Sequence, residues 1–293
     1  MLLKTIVLMM ACGFVSPQVE ITTPDAYFES LPLVVHVGET FTGPVKYSEP
    51  ARYVFKGCVF PRVIGKAGDD TTLDALKVEN GSLTVVDCLF LGGKGSKVRC
   101  IRGSSKTSGQ LFRAEIHGNT FLSMEGVPRK PTGSVNAFDC DYIVFQNYPA
   151  VDYVNITNNV FRSQTGKCGR VLKLQRCPNT TFSHNQVDVR WIKSGVVSPQ
   201  IGSDNCTVTH NYIKTYAHDF VIGGRTTGAM EFSFNRLELT NLVAGKVQNI
   251  MEAKVPVTGK VRYRRNDISL SEAGTQIVEI AKGYNISDLT YEH

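Results

Sequence analysis

The sequence predicts an all-β solenoid, a rod of about nine stacked coils, on three observations. One short template recurs along most of the chain, it recurs at coil-length spacing, and helical periodicity is weak throughout. The template is legible in FRAEIHGNTF, VNITNNVF, TFSHNQV, TVTHNYI, EFSFNRL and RYRRNDI. Its anchor is asparagine, at Asn119, Asn159, Asn185, Asn211, Asn235 and Asn266. Cys58 and Cys88 hold the anchor slot in two earlier copies, and Leu289 in a late one.

Three residues before the anchor stand Phe55, Val85, Ile116, Ile156, Phe182, Val208, Phe232, Tyr263 and Ile286. Two after it stand Phe60, Phe90, Phe121, Phe161, Val187, Ile213, Leu237, Ile268 and Tyr291. Five before it the residues are again apolar, with Thr180 as the exception, and the position between is polar in eight of nine copies. This alternation describes a strand with one buried face. Anchors lie 23 to 40 residues apart, and a second apolar strand recurs between them at 73–78, 170–174, 219–224 and 276–280. Stacked parallel at ~4.8 Å, such coils make a rod of roughly 40 Å. Asparagine suits the anchor for two reasons. It tolerates the left-handed backbone of a sharp corner, and stacked amides can hydrogen-bond along the rod as a ladder.

Read in order, residues 1–18 resemble an address: Leu2-Leu3-Lys4 precede an apolar run over 5–15. The run is too short to span a bilayer and reads as a signal peptide, with an N-terminal cap strand as the alternative. Residues 19–52 are assigned to an N-terminal cap and first strands, and 53–293 to the coils. No other stretch reaches the ~18 apolar residues of a membrane span. The eight cysteines contain no CxxC pair, which excludes a zinc ribbon or thioredoxin motif. Some pairing together with buried free thiols is expected, and stacking puts Cys58 and Cys88 within disulfide range. Sequons at Asn80, Asn155, Asn179, Asn205 and Asn285 fit a glycoprotein. The net charge of +6 favours an acidic partner, and the absence of Lys/Arg runs argues against nucleic acid.

Over 53–291 this pattern resembles the pectin-lyase-like superfamily of right-handed parallel β-helices, which holds lyases, hydrolases, epimerases and viral tailspikes. The resemblance implies chemistry residue by residue. Hydrolases of the superfamily pair aspartates; Asp139 and Asp141 form such a pair, and the Asn-Thr-Asp and Gly-His-Gly signatures of polygalacturonases are absent. Lyases bind Ca²⁺ through acidic side chains and use Lys or Arg as base. The candidate bases are Lys173 and Arg176 in VLKLQRC, and Arg190 and Lys193 in DVRWIK. LKLQRCPNTTFSHN resembles the Leu-x-Leu-Arg-His-Gly coil of chondroitinase-type lyases, with Gln175 in the Arg place and Arg176 in the His place. His218 and Asp219 in YAHDF resemble the Asp-Pro-His motif of alginate epimerases, without its proline and first aspartate. Ca²⁺ is the one cofactor this likeness would bring, and no metal ligands are assigned. His184 and His210 share a slot in consecutive coils and should stack ~5 Å apart as a turn ladder.

The longest gap, 40 residues between Asn119 and Asn159, carries the aromatic cluster Tyr142, Phe145, Tyr148 and Tyr153. Long solenoid loops build grooves, and aromatic faces stack on sugars. Asp139, Asp141, Tyr142, Tyr148 and Trp191 are therefore the expected substrate contacts, in a groove beside the coils from Asn119 to Asn235. The leading expectation is a secreted or surface-exposed β-helix that binds an acidic extracellular polysaccharide and, if catalytic, cleaves it as a lyase. The alternative is a non-enzymatic viral or cell-surface spike or adhesion protein, assembled as a homotrimer.

Overall fold

The computed structural model describes residues 23–65, 71–104, 111–127, 140–146, 150–164, 166–217, 220–224, 228–240, 248–253, 259–271, 278–282 and 289–292. Every strand pairing among them is parallel, and the strands form sheets of ten, nine, eight and three members. One coil shows the path. Thr180–Ser183 lies in the ten-stranded sheet, Gln186–Ile192 in the eight-stranded sheet and Val197–Pro199 in the nine-stranded sheet. The chain then returns to the ten-stranded sheet at Cys206–Thr209, which pairs in register with Thr180–Ser183. This is a parallel β-solenoid. The three sheets are called here the long, middle and second sheets, in that chain order.

The expected inward face is observed. Phe55, Val85, Ile116, Ile156, Phe182, Val208 and Phe232 are wholly buried, and Tyr263 nearly so. Two residues past the anchor, Phe60, Phe90, Phe121 and Phe161 form a continuous column, with centroids 4.4 Å, 4.7 Å and 4.7 Å apart. Each such side chain contributes about 1.5–3 kcal/mol by burial. Thr180, the polar exception at the slot five before the anchor, donates its hydroxyl to the Cys177 carbonyl at 3.1 Å.

The anchor asparagines form the ladder, but they do not turn the corner. Asn119 N–H donates to Asn159 Oδ1 at 2.9 Å, and the same bond repeats to Asn185, Asn211, Asn235 and Asn266. Each Nδ2 also donates to a carbonyl one coil back, as Asn185 does to Ile156 at 2.9 Å. The left-handed backbone belongs to the residue before the anchor: Gly57, Asp87, Gly118, Asn158, His184, His210, Phe234 and Arg265, with φ between 47° and 68°. That residue bends the chain so that the next amide can face inward.

The strand Leu33–Val37 pairs with Ala51–Lys56 at the start of the long sheet. Two further expectations change. Leu289 is not an anchor: it pairs with Val261, and Tyr291 pairs with Tyr263, so this last segment joins the long sheet five residues out of the expected slot. Cys58 and Cys88 are stacked but not bonded. Cys88 Sγ accepts from Cys58 N–H at 3.3 Å, so the thiol takes the place of the amide oxygen in the ladder. All seven described cysteines are buried free thiols.

The second sheet breaks the alternation. Two neighbouring residues are buried in five of its strands: Ala75 and Leu76, Cys100 and Ile101, Tyr142 and Ile143, Val171 and Leu172, Val221 and Ile222. Helix Pro24–Glu29, N-capped by Thr23, tucks Phe28 against the long sheet. Among the described residues no helix is long and apolar enough to cross a membrane.

Candidate functional site

The corner where the middle sheet passes into the second sheet carries a stripe of basic side chains. The pairing sets the stack: Ile64 beside Lys94, and Lys94 beside Glu125. Gly126 N–H then donates to the Lys167 carbonyl, and Cys168 N–H donates to the Trp191 carbonyl at 3.0 Å. Arg62, Lys94, Glu125, Lys167, Arg190 and Lys193 therefore follow one another along one edge. Arg62 and Lys94 are about half exposed and share one carboxylate, Glu125, at 3.2 Å and 2.8 Å. Lys167 and Arg190 are exposed. Among the described residues, Glu125 is the carboxylate that Arg62 and Lys94 share. The adjacent row of the middle sheet differs: Arg162, Asp188, Lys214 and Glu238 pair in succession and alternate in sign.

Behind the edge, at the start of the second-sheet strands, lies a buried ladder. Asp74, Arg99, Asp141 and Arg170 occupy successive strands in register. Arg99 reaches Asp74 at 3.4 Å, and Arg170 reaches Asp141 at 3.3 Å. Arg102 also reaches Asp74, at 3.5 Å. Burial pushes the Asp74 pKa up, and the two arginines oppose that shift. Alternating signs satisfy charges that would be costly alone. The doubled buried pair explains the placement, because it carries Asp74 and its equivalents out of the hydrophobic core.

The expected site residues divide. Arg190 and Lys193 belong to the basic edge. Trp191 is also there, but it is 8% exposed and Lys167 Nζ lies 5.1 Å from its ring centroid, so it is not an open platform. Lys173 is half-buried within strand Arg170–Gln175, and Arg176 is exposed at the corner after it, with φ 56°. Lys193 N–H donates to Cys168, just before that strand. The four basic candidates thus sit at two different corners and do not converge. Asp141 is wholly buried against Arg170 and is a fixed counter-ion, not a sugar contact. Tyr142 is a core residue between Phe121 and Phe161, and burial drives its phenol pKa well up. Asp139, Tyr148, His218 and Asp219 lie outside the described residues, as do the segments 1–22 and 128–139.

The described residues do not form a Ca²⁺ site. Asp74 and Asp141 are separated by the Arg99 strand, and each is engaged by arginine. Among the described residues no three His, Cys, Asp or Glu side chains could hold a metal ion together. Sequence reasoning missed Arg62, Lys94 and Lys167, because they are 32 and 73 residues apart and become neighbours only through the stack. Their signal was available in principle: each follows a middle-sheet strand of the template at its outgoing end. Comparison with known proteins found no matching family model, no matching curated relative and no matching solved structure.

Proposed function

We propose that this chain is an exported solenoid, a distant member of the pectin-lyase-like superfamily, that binds an acidic polysaccharide along its basic edge. The observation that carries the reading is the row Arg62, Lys94, Lys167 and Arg190, beside which the salt bridges among the described residues show one carboxylate, Glu125. Parallel stacking repeats cations every rung or so at ~4.8 Å, along the direction in which an extended polymer would lie. Arginine forks and lysine ammonium groups suit carboxylates and sulfates.

A second reading, a self-associating surface spike, draws on a different feature. The edge strand Leu33–Val37 exposes Leu33, Val35 and Val37 by 56%, 50% and 64%. Unpaired apolar edges promote association.

The test is binding of the full chain to a panel of uronate and sulfated polymers at low and high salt, with ultraviolet absorbance recording any unsaturated product. Lys94→Glu with Lys167→Glu should weaken binding tenfold or more at low salt and flatten its salt dependence. Arg236→Glu with Arg262→Glu should leave it unchanged. No salt-sensitive binding to any acidic polymer, with a stable oligomer in solution, favours the spike.

A further inference from the structure

A separate cleft of about 290 Å³ opens on the outer face of the long sheet, roofed by helix Pro24–Glu29. Its size falls just below the range of ligand clefts, about 300 to 1,000 Å³. It suits one sugar ring, not a polymer. Arg113 dominates the cleft by position but not by charge. Its Nη2 contacts Asp25 at 2.8 Å and Asp152 at 2.7 Å, and its guanidinium lies 4.0 Å over the Phe28 ring. Two carboxylates neutralise that cation, and the contacts hold the roof in place.

The remaining lining is unevenly charged. Arg52 gives its Nε–H to the Leu31 carbonyl at 3.2 Å and lines the cleft. Against it stand two carboxylates, Glu29 on the roof and Glu115 on the floor. Glu115 accepts from Asn155 Nδ2 at 3.0 Å, which orients it, and a carboxylate has further lone pairs to offer. Ser82 and Thr84, two residues apart on one strand, add hydroxyls to the floor. Tyr153 closes one wall: its ring faces the Arg113 guanidinium at 5.1 Å, and its hydroxyl bonds to Glu115 and helps to orient that carboxylate. The unneutralised charge is therefore negative, and the polar groups are those that recognise ring hydroxyls.

We infer that this cleft binds a single amine-bearing sugar residue. The ammonium meets Glu29 and Glu115, and the hydroxyls meet Ser82, Thr84 and Arg52. The site is independent of the basic edge, which selects the opposite charge.

The probes are glucosamine, glucose, glucuronate and cyclohexylamine, titrated into the full chain by calorimetry near pH 6.5. Glucosamine should bind, glucose and cyclohexylamine at least tenfold more weakly, and glucuronate not measurably. Glu115→Gln should lower glucosamine affinity about tenfold, and Glu29→Gln severalfold. Glu29 is exposed, so its replacement keeps the fold even if Glu115→Gln does not. Neither change should affect binding of acidic polymer by the edge. Equal binding of glucuronate, equal binding of cyclohexylamine, no binding of glucosamine, or unchanged affinity in Glu29→Gln each overturns the assignment.

Discussion

His184 and His210 stack face to face one coil apart, with ring centroids 5.0 Å apart and planes within 2°. Phe234 continues the stack below His210 at 5.0 Å, and the Arg265 guanidinium follows 5.9 Å from the Phe234 ring. All four residues occupy the left-handed corner just before an anchor asparagine. The corner turns their side chains outward, and parallel coils bring equivalent corners one rung apart. The imidazole pair is thus a consequence of backbone geometry, with stacking recovering part of the left-handed strain.

The corner makes a stability prediction at His210. A β-branched side chain tolerates the left-handed region poorly. His210→Val should lower the stability of the fold by about 1–2 kcal/mol. His210→Asn, which accepts that backbone, should cost well under 1 kcal/mol. Urea unfolding followed by circular dichroism separates the two, and equal midpoints would show that the corner is not strained.

The ladder makes a second. Asn185 Oδ1 accepts both the backbone N–H and the Nδ2 of Asn159, at 2.9 Å and 3.1 Å. Asn185→Ala leaves buried donors unpaired and should cost about 2–4 kcal/mol. Asn185→Cys should cost clearly less, because Cys88 Sγ already accepts the equivalent bond from Cys58. Melting temperatures of the two variants test the order, and a reversed order sinks this account of the thiol.

Glu79 makes a pH prediction. Burial pushes its pKa up, but hydrogen bonds from Lys77, Ser48 and Lys46 outweigh burial and leave it at about 2, against an ordinary 4.5. The folded chain keeps Glu79 ionised where the unfolded chain takes up a proton. Its contribution is therefore complete above about pH 4.5 and is lost as pH falls toward about 2. Glu79→Gln should make the decline of stability over that interval shallower. Identical acid profiles for the two proteins would remove Glu79 from the account.

The thiols make a chemical one. Burial pushes Cys88 up to about 11, and Cys177 and Cys206 to about 12. Thiolate is the reactive form. At pH 8 the native chain should leave these three unlabelled by a maleimide over minutes, and denaturant should expose all of them. Peptide mass spectrometry after labelling reads each site separately.

The strand template was legible in the sequence because side-chain alternation is local. Phe182, Val208 and Phe232 face inward for a reason visible within five residues of Asn185, Asn211 and Asn235. The limit of that logic shows at Tyr142. Strict alternation would leave either Tyr142 or Ile143 outside, yet the second sheet buries both. A neighbouring pair in the string Asn158-Asn159 shows the same limit, since composition does not say which residue bends and which donates. The pairing decides it: Asn158 takes the positive φ, and Asn159 turns inward to Asn185.

Repeat, strand face and asparagine ladder are thus properties of the sequence itself, each carried by contacts a few residues long or by one repeated slot. The basic edge belongs to the tertiary structure. Lys94 and Lys167 are remote in sequence, and Glu125 stands between them only because hydrogen-bonded rungs choose one register out of several. Variable loop lengths between coils erase that register from the spacing of residues. Only closing each coil over the one before restores it, because the backbone ladder and the inward side chains must be satisfied together.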